Sequence, residues 1–282
     1  MKKGKRPANP IYKNKSTLAV YLTLRGLILV ILIRGIFLGE YESVFFCSLS
    51  LVLMLMPSIL SKKLKIVLPD TLEIIILLFI FAAEILGELN SFYVRVPHWD
   101  TMLHTVNGFL CAAIGFSLVD MLNRNERFSI QLSPLYLAIV SFCFSMTVGV
   151  LWEFFEFSND YFFGGDMQKD TIIHAIHSTA LDPTMSNIVV HVRDIQDVIL
   201  VHSDGTQQAL GLGGYLDIGI IDTMKDLFVN FIGAVVFSFI GFFYVKHKGK
   251  GKVAPQFIPT VEFPEKNDKK ECQNLRLSRR LD

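Results

Sequence analysis

Cysteine is scarce. The chain has four in 282 residues (Cys47, Cys111, Cys143 and Cys272), and none sits at a metal-ligating spacing, so neither a disulfide framework nor a thiolate centre is expected. Three of the four fall in apolar runs, where cysteine serves as a small apolar filler. No G-x-S-x-G nucleophile elbow is present, and no serine or cysteine nucleophile can be read from a motif. Internal repeats, low-complexity tracts and the broken-helix repeats of carriers are missing too. The first apolar run is interrupted by Arg25 and Arg34, and no small-x-small pattern follows it, so a cleaved signal peptide is not the expectation. Net charge is only +1, and no nucleic-acid partner is expected.

What the chain has in quantity is apolar length. About half of its residues are apolar (51%), and mean hydropathy is +0.44. Runs at 18–38, 44–60, 72–86, 102–122, 136–152 and 227–245 are each near the length of a membrane span. A helix satisfies its backbone polar groups internally, as lipid requires. The expected fold is therefore an all-α polytopic membrane protein with six transmembrane helices.

Charge alternates along those spans. The N-terminal arm "MKKGKRPANPIYKNKST" carries six Lys/Arg and no acid, and "SKKLK", "NRNERF" and "KHKGKGK" follow the second, fourth and sixth runs. The other connections are acidic: "GEYES", then "GELNSFYVRVPHWD" with Arg95 beside Glu88 and Asp100, then residues 158–217 with only Lys169 and Arg193 among eight Asp. Positive charge stays inside. This predicts a cytoplasmic basic arm (1–17), spans one to five (18–157), an extracytoplasmic loop (158–217), a sixth span (218–245) and a cytoplasmic tail (246–282). The tail mixes charge with Pro and Gly, the composition of a disordered or lipid-surface segment. In the outer loop, β-branched runs at 189–192 and 198–201 precede Asp204-Gly205, a hairpin signal. A small extracytoplasmic β-hairpin insertion between the fifth and sixth spans is expected.

Polar residues gather at the outer ends of the spans. Glu84 and Glu88 close the third; Asp100, His104 and Gly108 share a face at i, i+4, i+8 in the fourth, with Asn107 adjacent. Glu153, Glu156 and Asp160 form an i, i+3, i+7 stripe in the fifth, and Asp222, Asp226, Asn230 and Gly233 one in the sixth. Interfacial acids that merely mark where helices leave lipid would account for Glu40 and Glu42, but they need no common face. Acids this dense repel unless neutralised. A divalent cation, bound protons, or Arg25, Arg34 or Arg95 could each do so. The donors are hard, oxygens plus one imidazole, which favours Mg²⁺, Mn²⁺ or Fe over a structural Zn²⁺ site. The metal set is Asp100, His104, Glu153, Glu156, Asp222 and Asp226, with Glu153 and Asp226 as the catalytic carboxylates and Asn230 orienting from one turn deeper. For His104 alone, a hydrogen-bonded core histidine fits as well as a ligand. His98 is the more exposed by position, and His174, His177, His191 and His202 fit either solvated surface side chains or a second metal site. Gly108, Gly115, Gly149, Gly233 and Gly241 are read as helix-packing positions.

Three motifs, "HWDTMLHTVNG" (98–108), "LWEFFEFSND" (151–160) and "LDIGIIDTMKDLFVNFIGA" (216–234), together resemble the YjdF-like family of bacterial membrane proteins and, more distantly, VanZ-like proteins. The resemblance covers roughly the last four spans. It implies a bacterial cytoplasmic-membrane protein and implies no reaction.

Three functions fit these residues. The first is a membrane hydrolase or transferase using a divalent cation (Mg, Mn, Fe or Zn) on a lipid-linked substrate, with membrane lipids around it. The second is an ion- or proton-coupled transport or ion-binding protein, which would need a polar path through the inner halves of the spans. The third is a scaffold or sensor whose outer hairpin meets a protein partner.

Overall fold

The computed structural model describes residues 14–64, 66–123, 132–247, 249, 251 and 253–261. The basic arm up to residue 13, the "NRNERF" connection from residue 124, Cys272 and the end of the tail lie outside the described residues. The fold is mostly helical. It has five helices long and apolar enough to cross a membrane, together with small antiparallel strand pairs.

The chain forms two compact units. The first holds α1 (Lys15–Leu38), α2 (Tyr41–Leu53), α3 (Met56–Leu64), strand β1 (Ile66–Val67) and α4 (Asp70–Ile80), which continues as a π-helix over Phe81–Leu89. Asn14 caps α1 by accepting the Ser16 backbone N–H at 3.0 Å, and Gly39, in the left-handed conformation, ends it. A tight turn then sends α2 back along α1. Tyr21, Leu24, Ile28, Cys47, Met54, Leu77 and Ile85 make the core of this unit. Two of the five candidate spans lie here, Lys15–Leu38 and Tyr41–Lys63. The run at 72–86 is not among the five. Its helix changes from α to π at Phe81 and carries Asp70, Glu73, Glu84 and Glu88 along its length.

The same unit contains a correction to the tail. Residues expected to lack structure form a 3₁₀ turn (Ala254–Gln256) and a final strand (Thr260–Val261) antiparallel to β1, with Ile66 opposite Val261. Ala254 and Ile258 are buried, so the apolar residues of "VAPQFIP" outweigh the basic residues before them.

The second unit is built on α6 (Trp99–Asn123), α7 (Pro134–Phe163) and α8 (Ile220–Lys246), which supply the other three candidate spans; the short α5 (Phe92–Arg95) precedes them. Ser133 caps α7 by accepting the Tyr136 N–H, with Pro134 in the first turn. Glycines set how closely these helices cross. A Cβ at Gly108 would collide with the Asn230 backbone carbonyl, and one at Gly233 with the Thr105 carbonyl, so α6 and α8 meet backbone to backbone. Ser145 and Ser141 of α7 donate to the Gly108 and Ala112 carbonyls of α6 at 2.7 and 2.6 Å.

Between α7 and α8 the chain makes three separate strand pairs. β2 (Ile172–Ile173) pairs with β7 (Tyr215–Leu216), β3 (Ile176–Ser178) with β4 (Val190–Val192), and β5 (Ile199–Val201) with β6 (Gln207–Ala209) across Asp204-Gly205. The run at 189–192 thus takes the upstream β3 as its partner, not the run at 198–201. Asp194, with positive φ, and the Ile195 N–H bond to the His174 carbonyl turn the chain away in between.

Candidate functional site

The starts of α6 and α8 and the end of α7 meet at one end of the second unit. There, one ligand atom each from Asp100, His104 and Asp226 lies within 4.8 Å of the others. His104 Nε2 stands 3.5 Å from Asp100 Oδ1, one helical turn earlier, and its Nδ1 stands 3.8 Å from Glu153 Oε1 on α7. His104, Glu153, Glu156 and Asp226 are all buried, while Asp100 is about a third exposed (34%). Both carboxylate oxygens of Glu153 are buried without a hydrogen-bond partner, as is the Trp99 indole N–H. The Gln168 and Thr223 side chains lie within electrostatic reach of that carboxylate, but a buried carboxylate with no donor in good geometry is still expensive.

Glu156 is held by the Trp152 indole, whose Nε1 donates to Oε1 at 2.8 Å, and it lies within electrostatic reach of Glu153, Asp100 and Asp222. Asp222 gives one oxygen to the Lys169 backbone N–H at 2.8 Å and acts through its charge on Asp226. Asn230 is fully buried one turn below Asp226. Its Oδ1 accepts from Asn107 Nδ2 at 3.4 Å, and its Nδ2 reaches the Ser145 carbonyl at 3.5 Å.

Some acids of the stripes do other work. Asp160 accepts the N–H groups of Met167 and Gln168 at 2.7 and 2.8 Å. Asp217 accepts those of Thr171, Ile221 and Gly219 at 2.7, 2.8 and 3.3 Å. Partial burial works to raise the Asp217 pKa, but these three donors outweigh it and hold the carboxyl below its usual range. Asp160, Asp217, Asp222 and the Gln168 to Thr223 bond at 2.6 Å together strap residues 167–171 onto the end of α7 and the start of α8. Sequence reasoning missed Trp152, Gln168 and Thr223 as supports. Only the adjacency of Trp152 and Thr223 to acids signalled them.

Glu84 and Glu88 belong to the first unit, on its π-helix. Arg34 lies 3.9 Å from Glu40, and Arg25 rests against Tyr21, its Cζ 5.1 Å from the ring centroid. Among the described residues no Lys or Arg forms an ion pair with Asp100, Glu153, Glu156 or Asp226. His98 is exposed.

The model of the family described as "Predicted membrane protein (DUF2238)" matches residues 20–247, which include every residue of this cluster. The chain belongs to that family. It is a multi-pass membrane protein. A Thermotoga maritima protein titled "Uncharacterized protein" is 26% identical over 93 residues, 33% of this chain and 46% of its own length, so the chain spans under half of that relative. No solved structure matches the chain.

Proposed function

We infer that this DUF2238 protein is a metal-dependent hydrolase or transferase of the bacterial cytoplasmic membrane, acting on a lipid-linked substrate at the outer face. The observation that carries the reading is the Asp100, His104 and Asp226 trio with the unpartnered Glu153 carboxylate beside it. A cation about 2.1 Å from each donor separates neighbouring donors by roughly 3.0–3.5 Å. His104 Nε2 and Asp100 Oδ1 already stand at 3.5 Å, and a modest side-chain rotation closes the rest. Two carboxylates and one imidazole suit Mg²⁺, Mn²⁺ or Fe²⁺, with Zn²⁺ the softest ion in reach.

Such a cation would polarise a phosphoryl or carbonyl oxygen and acidify water. Nε2 faces Asp100, which leaves Nδ1 to carry the imidazole proton toward Glu153, the usual support for a metal-ligating histidine. The second Glu153 oxygen is free to take a proton from water as general base. Asp226 closes the site from α8, Glu156 and Asp222 flank it, and Asn230 orients from below. Phe154, Phe155 and Phe157 are exposed around the Glu153 turn, so an acyl or prenyl chain in the bilayer reaches the edge of the site.

Six spans and two cytoplasmic termini complete the reading. The eleven residues of α4 and the nine of the π-helix together give roughly the 20 that a span needs. Asn14 Nδ2 donates to Asp70 Oδ2 at 2.8 Å, so α1 and α4 start at one end, and the Thr260–Val261 strand lies on β1 just before α4. The resemblance to YjdF-like and VanZ-like proteins fits the same placement.

Metal analysis of the detergent-purified chain tests this. About one equivalent of divalent metal is expected, lost in Asp226→Asn and weakened roughly 10- to 100-fold in Glu153→Gln. A metal-free wild-type protein that stays fully functional in cells would sink the proposal. Buried Asn230 and half-buried Asn107 extend polarity below the acids, which favours ion binding and transport as the second reading. Cation or proton flux in liposomes that vanishes in Asp226→Asn would support it.

A further inference from the structure

The segment between α7 and α8 carries a histidine pair that the first site does not use. His177 is the middle residue of β3 and His191 the middle residue of β4, and the antiparallel register sets them directly opposite each other. Opposed residues project from the same face of the ladder. Their Nδ1 atoms are 2.8 Å apart and their ring centroids 4.7 Å apart, at 65° between planes. At that distance one ring donates and the other accepts, so a single proton lies between two nitrogens whose lone pairs converge on one point. Both side chains are exposed.

The scaffold beneath them is fixed in advance. The β3–β4 connection is organised by Asp182, a buried side chain whose carboxylate accepts from Thr184 N and Oγ1, Ser186 N and Ile188 N at 2.9, 2.6, 2.9 and 3.2 Å. Beyond the other end of the ladder the Ile195 N–H donates to the His174 carbonyl at 3.0 Å, and His174 Nδ1 meets the Ile195 carbonyl at 3.1 Å. The third nearby histidine is therefore occupied, and the pair stands alone on a braced hairpin.

We propose that His177 and His191 form a second metal site, a solvent-open two-histidine chelate for a late first-row divalent cation such as Zn²⁺, Ni²⁺ or Cu²⁺. Two Zn–N bonds of about 2.0–2.1 Å at a tetrahedral angle place the nitrogens roughly 3.3–3.4 Å apart. The rings need to open by only about half an ångström. Binding moves the shared proton through water to the Nε2 of the donating ring, so that both imidazoles ligate as neutral Nδ1 bases, and water fills the remaining positions. Imidazole pairs prefer these borderline ions to Mg²⁺ or Ca²⁺, so the site differs in kind from the carboxylate cluster.

The test is Zn²⁺ titration calorimetry on the full, metal-stripped chain in detergent. His177→Ala and His191→Ala should each lose one bound equivalent, and the double variant should lose that same equivalent and no more. Asp226→Asn should keep it, so failure here and failure of the membrane-embedded site are told apart. Limited proteolysis of the segment at 172–216 checks that the hairpin survives, as exposed side chains predict. Unchanged stoichiometry in the single variants, or losses that add in the double variant, would overturn the proposal, the second by showing two independent surface histidines.

Discussion

A carboxylate near a membrane face can be open for chemistry or spent on backbone, and the two look alike as letters. Asp160 and Asp217 sit in the same stripes and approaches as Glu153 and Asp226, yet they accept backbone N–H groups that include partners seven and forty-six residues away. That spacing is why no sequence pattern separates them, whereas the face shared by Asp100 and His104 was legible because both lie within one turn of one helix. Asp182 is spent in the same way. The Thr184 hydroxyl and N–H, then the backbone N–H groups of Ile188 and Ser186, hold its pKa down to about 2. A carboxyl depressed on folding stabilises fully above its unfolded value of roughly 4 and loses that contribution as pH falls through the folded one. The β3–β4 connection should therefore resist proteolysis at pH 4, open as pH approaches 2, and be cut at neutral pH in Asp182→Asn. Ile218 makes the opposite case. It is β-branched and exposed, yet held at φ 56° between Asp217 and the start of α8. Left-handed backbone costs such a residue about 1–2 kcal/mol, so Ile218→Gly should raise the unfolding midpoint in detergent, a gain of about 1 kcal/mol once glycine's extra chain entropy is deducted.

Helices were legible where hydropathy alone forms them and blurred where tertiary partners extend them. The fifth apolar run stops at Trp152 by hydropathy, but α7 continues to Phe163 because Glu153 and Glu156 turn into the bundle while aromatics cover the outside, until Gly164 caps it. The α-to-π change at Phe81 leaves no mark in composition. Nor does the Ile176–Ser178 strand, three residues long with a histidine at its centre. Glycines were legible as packing positions, and the geometry ranks them. At Gly233 and Gly108 a Cβ would strike backbone carbonyls, which cannot rotate away, whereas at Gly26 on α1 nothing lies within 4 Å. Gly233→Ala should cost about 1–3 kcal/mol or more as α6 and α8 are forced apart. Gly26→Ala should stabilise by about 0.5–1 kcal/mol through helix propensity alone. Thermal unfolding of the two variants in one detergent reads both, and equal effects would mean that the α6–α8 crossing is looser than its backbone contacts require.

At the scale of the whole molecule, charge pattern and packing make independent statements about topology. The proposed orientation, drawn from the lysine and arginine distribution, puts both ends of the chain inside. Within the first unit, the Asn14 to Asp70 bond and the β1 pairing with Thr260–Val261 bring the start of α1, the start of α4 and the returning tail to one end, with no reference to charge. Within the second unit, the approach of Asp100 and Asp226 to His104 and Glu153 requires α6 and α8 to start where α7 finishes, as alternating spans must. An odd number of crossings would separate the ends of the chain, so the π-helical segment has to cross for both statements to hold. In a variant without native cysteines, a single cysteine at Ser186 should therefore react with a membrane-impermeant maleimide in intact cells, and one at Val253 only after permeabilisation. Labelling of both from the same side would leave the charge rule and the strand pairing at odds, and a Ser186 cysteine that reacts only after permeabilisation would move the carboxylate cluster to the cytoplasmic face together with any substrate it acts on.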